Sequence, residues 1–237
     1  ILDYNLVHDV PCTCASAPIS GATAPATLAG TLAVMHAEAL AGVAVAQAFC
    51  SGARVLYGTF PMPMDLRTMS VVTGAVETGM MNAIAVQLSD LYGIPIYASG
   101  GLTEAKTPDI QAGFEKNFSN MTVAMAGADI IHLTAGLMDS AKSISYEQYL
   151  IDDGNIGMIN RIVRGVEVTD ETLALDVIKK VNPGGNFLMD DHTLRHMDEL
   201  IYPALIDRCE YEVWIDKQKP SMLSKAVTRV REILKAG

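Results

Sequence analysis

The residues able to do chemistry gather in a few short stretches. "YASGGLTEAKTPDIQAG", residues 97–113, sets Tyr97, Ser99, Thr103, Glu104 and Lys106 around a glycine pair, with Leu102 at what reads as an exposed loop tip. "MDLRT" puts Asp65 and Arg67 on one loop, where they can pair with each other or orient a zwitterionic ligand. His132 interrupts the apolar run "DIIHLTA", as a hydrogen-bonded core histidine or as a functional one. Glu104 and Lys106 read equally well as a solvated loop pair. No GxSxG elbow is present, so a serine hydrolase has no support. Nothing in these stretches demands a general acid–base reaction.

Three other patterns offer groups that could hold ligands. "SGATAPATLAG" could bring backbone N–H groups to an anion at a helix start, but it lacks GxGxxG and a Walker lysine. "CTC" at 12–14 offers two thiolates where a tetrahedral site needs four converging ligands. His192 and His196 form HxxxH without the HExxH glutamate, so the sequence assigns no metal ligand.

The elements that must position these groups alternate. Apolar strands are expected at 10–14, 53–60, 94–99 and 129–135, each followed by a helix, at 26–49, 76–91, 107–126 and 146–164. The first helix takes Pro25 in its opening turn and Thr23 or Ala24 as cap; the third takes Thr107 as cap. Alternation implies parallel strands with right-handed crossovers. Four βα units make half of an eight-stranded barrel or an open doubly wound sheet. Both carry ligands at the C-terminal ends of their strands, where Ser16, Tyr57, Asp65, Arg67, Tyr97, Ser99, Thr103, Glu104 and His132 all fall. Residues 1–165 hold the βα units and residues 166–237 a mostly helical tail, with one helix over "VTDETLALDVIKKV" and an amphipathic terminal helix.

The chain has 237 residues, half of them hydrophobic, which suffices for a sizeable core. Its net charge of −10 and lack of a basic cluster argue against a nucleic-acid partner. The apolar stretch 26–50 comes nearest to a membrane span, but His36 and Glu38 interrupt it, and no secretory signal stands out. Four cysteines in a chain this long do not suggest a disulfide framework, so an intracellular, cytoplasmic protein is expected.

Taken together, "PISGATAPATLAGTLA", "VLYGTFPMPMDLRT", "SGGLTEAKTPDIQAG", "AGADIIHLTAGLMD" and "HTLRHMDELIYPALIDRCEYEVW" resemble the trimethylamine methyltransferase family. The resemblance implies a (β/α)8 TIM barrel, of which this chain, opening on Ile1, carries about the C-terminal half. It implies methyl transfer from a methylated amine to the Co(I) of a corrinoid held by a separate protein, with no cofactor bound directly by this chain. In the trimethylamine-specific branch the loop of residues 100–106 carries pyrrolysine, thought to trap the amine through its nitrogen lone pair, and the matching position here is Leu102. Leucine implies the branch that acts on quaternary amines such as glycine betaine. Holding a bulky cation calls for aromatic faces and carboxylates. Tyr57, Tyr97, Asp65 and Glu104 are then candidate substrate contacts, with Leu102 in the same loop and Arg67 for a carboxylate, and His132 is the catalytic candidate, able to hydrogen-bond substrate or water near the approaching cobalt. Two other readings stay open: an inert barrel fragment serving as a folding or assembly module, and an unrelated barrel enzyme for a phosphorylated ligand. The oligomeric state is open, a homo-oligomer included.

Overall fold

Residues 8–236 are described by a computed structural model. Four strands, β1 (Cys12–Ser16), β3 (Val55–Thr59), β6 (Ile96–Ser99) and β7 (Ile130–His132), form a parallel sheet whose order follows the chain. Register runs through Cys14↔Tyr57, Tyr57↔Ile96 and Ser99↔His132. Each strand feeds a helix: α1 (Leu28–Phe49), α2 (Val76–Asp90), α3 (Ile110–Met125) and α4 (Tyr146–Arg164). The sheet is open, so the four expected βα units are present but a closed barrel is not.

Small strands fill the loops. β2 (Ile19–Ser20) pairs parallel with β4 (Met62–Asp65), and β4 turns antiparallel into β5 (Ser70–Val71). β8 (Leu137–Met138) and β9 (Ser143–Ile144) make a hairpin ahead of α4. Two-residue strands inside polar loops leave no periodicity to read.

Several boundaries differ from the sequence expectation. β1 begins two residues later, because Pro11 has no N–H to give the ladder and Val10 is exposed. β7 stops at His132, because Leu133 takes φ +66° and leaves the extended region. The cap of α1 is Thr27, which accepts from Gly30 N, while Thr23 Oγ1 accepts from Ile19 N and closes the preceding turn. Asp109, not Thr107, caps α3, accepting from Ala112 N at 3.1 Å. "VTDETLALDVIKKV" breaks in two at Ala174, which lies in the left-handed region: α5 (Asp170–Leu173) and α6 (Leu175–Val181). Three short elements, α7 (Asp191–Arg195), a 3-10 turn (Met197–Glu199) and α8 (Tyr211–Asp216), lead to α9 (Met222–Ala236), which packs along α4.

The core lies on one side of the sheet. Met35 and Ala39 of α1, Ala85 and Val86 of α2 and Val123 of α3 meet Tyr57, Ile96 and Ala98 there. Ile131 packs against the same cluster. Side chains alternate along a strand, so Leu56, Tyr97, Ile130 and His132 face the other way, where no helix among the described residues packs on them. Among the described residues, α1 alone is long and apolar enough to cross a membrane; its Met35 and Ala39 are buried in this core and its Ala46 against Cys12.

Asn82 ties the helix layer to the strand ends. Its Oδ1 accepts from Thr59 Oγ1 (2.8 Å), Ser99 N (3.0 Å) and Ser99 Oγ (3.2 Å), and its Nδ2 donates to Thr78 O. All of these side chains are buried. Asn82→Leu strands three donors without a partner, and each such orphan costs on the order of 1 kcal/mol or more. We expect the urea midpoint to fall by the equivalent of about 3 kcal/mol. An unchanged midpoint would show that the network does not hold the strand ends.

Candidate functional site

Aromatic rings mark the uncovered face near the C-terminal ends of β6 and β7. Tyr97 stacks on His132 with centroids 4.2 Å apart and planes 6° apart, and Phe60 meets His132 edge-on at 6.0 Å. His132 Nε2 lies 3.5 Å from Thr59 O. Burial holds the imidazole below its ordinary value, only partly offset by that contact. It is therefore neutral at pH 7, a flat aromatic surface rather than a cation.

The loop after β6 is held from two sides. Glu104 accepts from Thr73 N (2.7 Å), Thr73 Oγ1 (3.0 Å), Gly74 N (2.8 Å) and Ser140 Oγ (2.7 Å). Glu115 of α3 accepts from Thr103 Oγ1 (2.6 Å) and Glu104 N (2.8 Å). Backbone bonds from Asp139 N to Ala105 O and Ser140 N to Thr103 O dock the β8–β9 hairpin on the same loop. Lys106 pairs with Asp139 at 3.2 Å.

Beneath this loop lies an ion pair. Lys116 of α3 and Asp152 of α4 meet at 3.1 Å with side chains 1% and 2% exposed. Lys116 Nζ also donates to Gly101 O and to Leu137 O, while Asp152 accepts from Gly136 N and Gln148 Nε2, both at 2.8 Å. Burial pushes the lysine down and the carboxyl up, and their contact opposes both shifts. The pair spans the loops after β6 and β7. Gly101 allows it: at φ +70° it has no Cβ, which would come 2.6 Å from Thr134 O and 2.7 Å from Asn120 Nδ2.

The expected site residues separate into groups. Tyr97 and His132 come together. Tyr57 faces the helices instead, fully buried, with Oη 2.8 Å from His36 Nδ1. Burial raises that phenol to about 12. Alternation decides this: Tyr57 is in register with Ile96, one residue off Tyr97. Asp65 and Arg67 bind each other through Nε and a second guanidinium nitrogen at 3.0 Å, on the exposed β4–β5 turn, and Arg67 holds the carboxyl below its usual range. Glu104 spends both oxygens on the loop before α2. Leu102 is 1% exposed, not the exposed tip expected, because the bonds on either side of it fold the loop down.

The sequence does not single out Phe60, Asn82, Lys116 or Asp152. Lys116 and Asp152 sit in ordinary amphipathic helices, where a charge reads as solvated. Their one signal is that they fall near the buried stripes of α3 and α4. A 440 Å³ groove borders the pair on the outer side, between α3, α4 and residues 203–206. It lies on the helix side and not beside the Tyr97–His132 stack.

Comparison with known proteins identifies the family. The family profile described as trimethylamine methyltransferase matches residues 4–236. A glycine betaine methyltransferase of Desulfitobacterium hafniense (strain Y51) is 37% identical over 221 residues, which is 93% of this chain and 46% of that protein. A trimethylamine methyltransferase MttB of Desulfitobacterium hafniense (strain DSM 10664 / DCB-2) is 37% identical over 225 residues, 95% of this chain and 45% of that protein. One from Methanosarcina barkeri is 35% identical over 226 residues, 95% of this chain and 46% of that protein. The chain thus spans about half the length of the curated relatives it matches.

Two outcomes follow from the electrostatics. Lys116→Met leaves Asp152 buried without its partner, at an expected cost of about 3–5 kcal/mol in chemical denaturation. The double variant Lys116→Met/Asp152→Leu regains most of that loss; an equal or greater loss would show that the charges themselves are needed. For His132, the folded value lies below the ordinary 6.5, so the unfolded chain binds more protons as pH falls through that value. Stability therefore drops below pH 6.5, and His132→Phe flattens the slope there.

Proposed function

Because the chain belongs to the trimethylamine methyltransferase family, we propose that it forms part of a methyltransferase acting on a methylated, quaternary amine. The methyl acceptor is the Co(I) of a corrinoid carried by a partner protein, which supplies the nucleophile. The observation that carries this reading is the Tyr97–His132 stack with Phe60 at its edge, on the face that no described helix covers. A quaternary ammonium has no lone pair and makes no directional hydrogen bond. It is held by aromatic faces, which attract a cation through the ring quadrupole. Neutral His132 extends that surface without repelling the substrate.

The chemistry asks little else of the side chains. The methyl leaves a positive nitrogen, which keeps the bonding pair and departs as a neutral tertiary amine. No proton moves, so the protein contributes alignment rather than acid–base catalysis. Glu104, Glu115 and the Lys116–Asp152 pair fix the loops around the aromatic face and contact no substrate. Leu102 offers no electrophile to trap a tertiary amine, which supports the quaternary branch over trimethylamine. Tyr57 has no place in this site, and Asp65 with Arg67 stays a loop pair that a substrate carboxylate would have to open.

The uncovered face supports a barrel completed by further strands, as does a strand order that follows the chain with its helices on one side. In this reading residues 1–165 are the C-terminal βα units, residues 166–237 are the tail packed on them, and the enzyme works in the cytoplasm. The same open face favours a second reading, in which this chain alone is an inert folding or assembly module.

One experiment separates the two. The chain is combined with a polypeptide supplying the remaining half found in its relatives, and the cobalt spectrum of a Co(I) corrinoid protein is followed with a panel of amines. We expect methylation with a quaternary amine, and a Tyr97→Ala variant about 10-fold lower in kcat/KM. Turnover with trimethylamine and no quaternary amine would sink the substrate reading. No turnover with any amine would favour the inert module.

A further inference from the structure

In the tail, HxxxH gains a third ligand that the sequence does not offer. Glu171 of α5 comes to His192 and His196 across more than twenty residues, and one ligand atom from each lies within 4.8 Å of the other two. Glu171 Oε1 is 3.3 Å from His196 Nε2, and the two imidazoles are 4.3 Å apart. A tetrahedral zinc with bonds near 2.0–2.1 Å sets its ligand atoms roughly 3.4 Å apart. The three groups therefore need only small adjustments to converge.

The surroundings fit a metal as well as the distances do. His192 Nε2 lies 3.0 Å from Glu171 O. A neutral ring that donates to that carbonyl keeps its lone pair on Nδ1. Arg195 shares Glu171 Oε1 at 2.9 Å, but both partners are 58% exposed and such a pair is weak. It can move to the second carboxylate oxygen. The segment also lacks a core: α5, α6, α7 and α8 have no buried residue. Helices of four to seven residues are not stable by themselves.

We propose that Glu171, His192 and His196 bind a divalent transition-metal ion of the zinc class, with water in the fourth position. The ion clips α5 to α7 and takes the place of a hydrophobic core in this segment. The site is independent of the methyl-transfer reading.

The test uses the full chain, stripped with a chelator and titrated with Zn2+ and, for its visible absorption, Co2+. We expect one equivalent bound, tetrahedral Co2+ bands, and slower proteolysis between residues 166 and 200 that chelation reverses. Glu171→Gln and His196→Ala should each weaken binding by more than ~10-fold, since even outer-shell partners are worth that much. Circular dichroism confirms that each variant is folded. Binding of equal strength in the folded variants, or no Co2+ bands in the parent chain, overturns the proposal.

Discussion

The placement of the candidate site depends on one buried ion pair. Lys116 and Asp152 come from neighbouring helices and meet beneath the loops that follow β6 and β7. Each uses its remaining hydrogen-bonding capacity on those loops: Gly101 O and Leu137 O on one side, Gly136 N on the other. Removing two charges from water costs about as much as their attraction returns. The pair therefore contributes little net stability and much position. It makes the backbone after both strands answer to the helix layer, and Gly101 permits the close approach that a side chain would block.

Above that anchor the sheet divides its residues by parity. Tyr57, Ile96 and Ala98 close the apolar core against α1, α2 and α3. Tyr97 and His132, one residue out of step, carry aromatic surface to the uncovered side. Two tyrosines on adjacent strands thus have opposite fates. One has its hydroxyl tied to His36, and the other lays its ring on His132. The same separation explains why the groove between α3 and α4 is not where the aromatic face lies.

Polar groups near the strand ends mostly hold backbone. Glu104 and Glu115 satisfy loop N–H and hydroxyl donors, Asn82 satisfies three donors at once, and Asp65 holds Arg67. Loops that cross the end of a sheet expose backbone donors which must be paired wherever water is excluded. A polar residue at a strand's C-terminal end therefore has two possible employers, the ligand and the loop. Here most serve the loop.

The alternation of strands and helices was legible from the sequence, because apolar period and capping residues are local properties. So were the four βα units, the ends of the sheet where polar residues gather, and the family. Choosing among the polar residues was not legible. Whether Tyr57 or Tyr97 faces outward depends on which parity the helices cover, and Leu102 reads as exposed until the bonds around it fold the loop inward. Lys116 and Asp152 look like surface charges until α3 and α4 pack together, and Glu171 meets HxxxH only when the tail folds back. Short-range pattern sets the elements, since each residue's backbone preference acts within a few positions. Contacts between residues far apart in the chain, which no local window contains, decided which side chains work together.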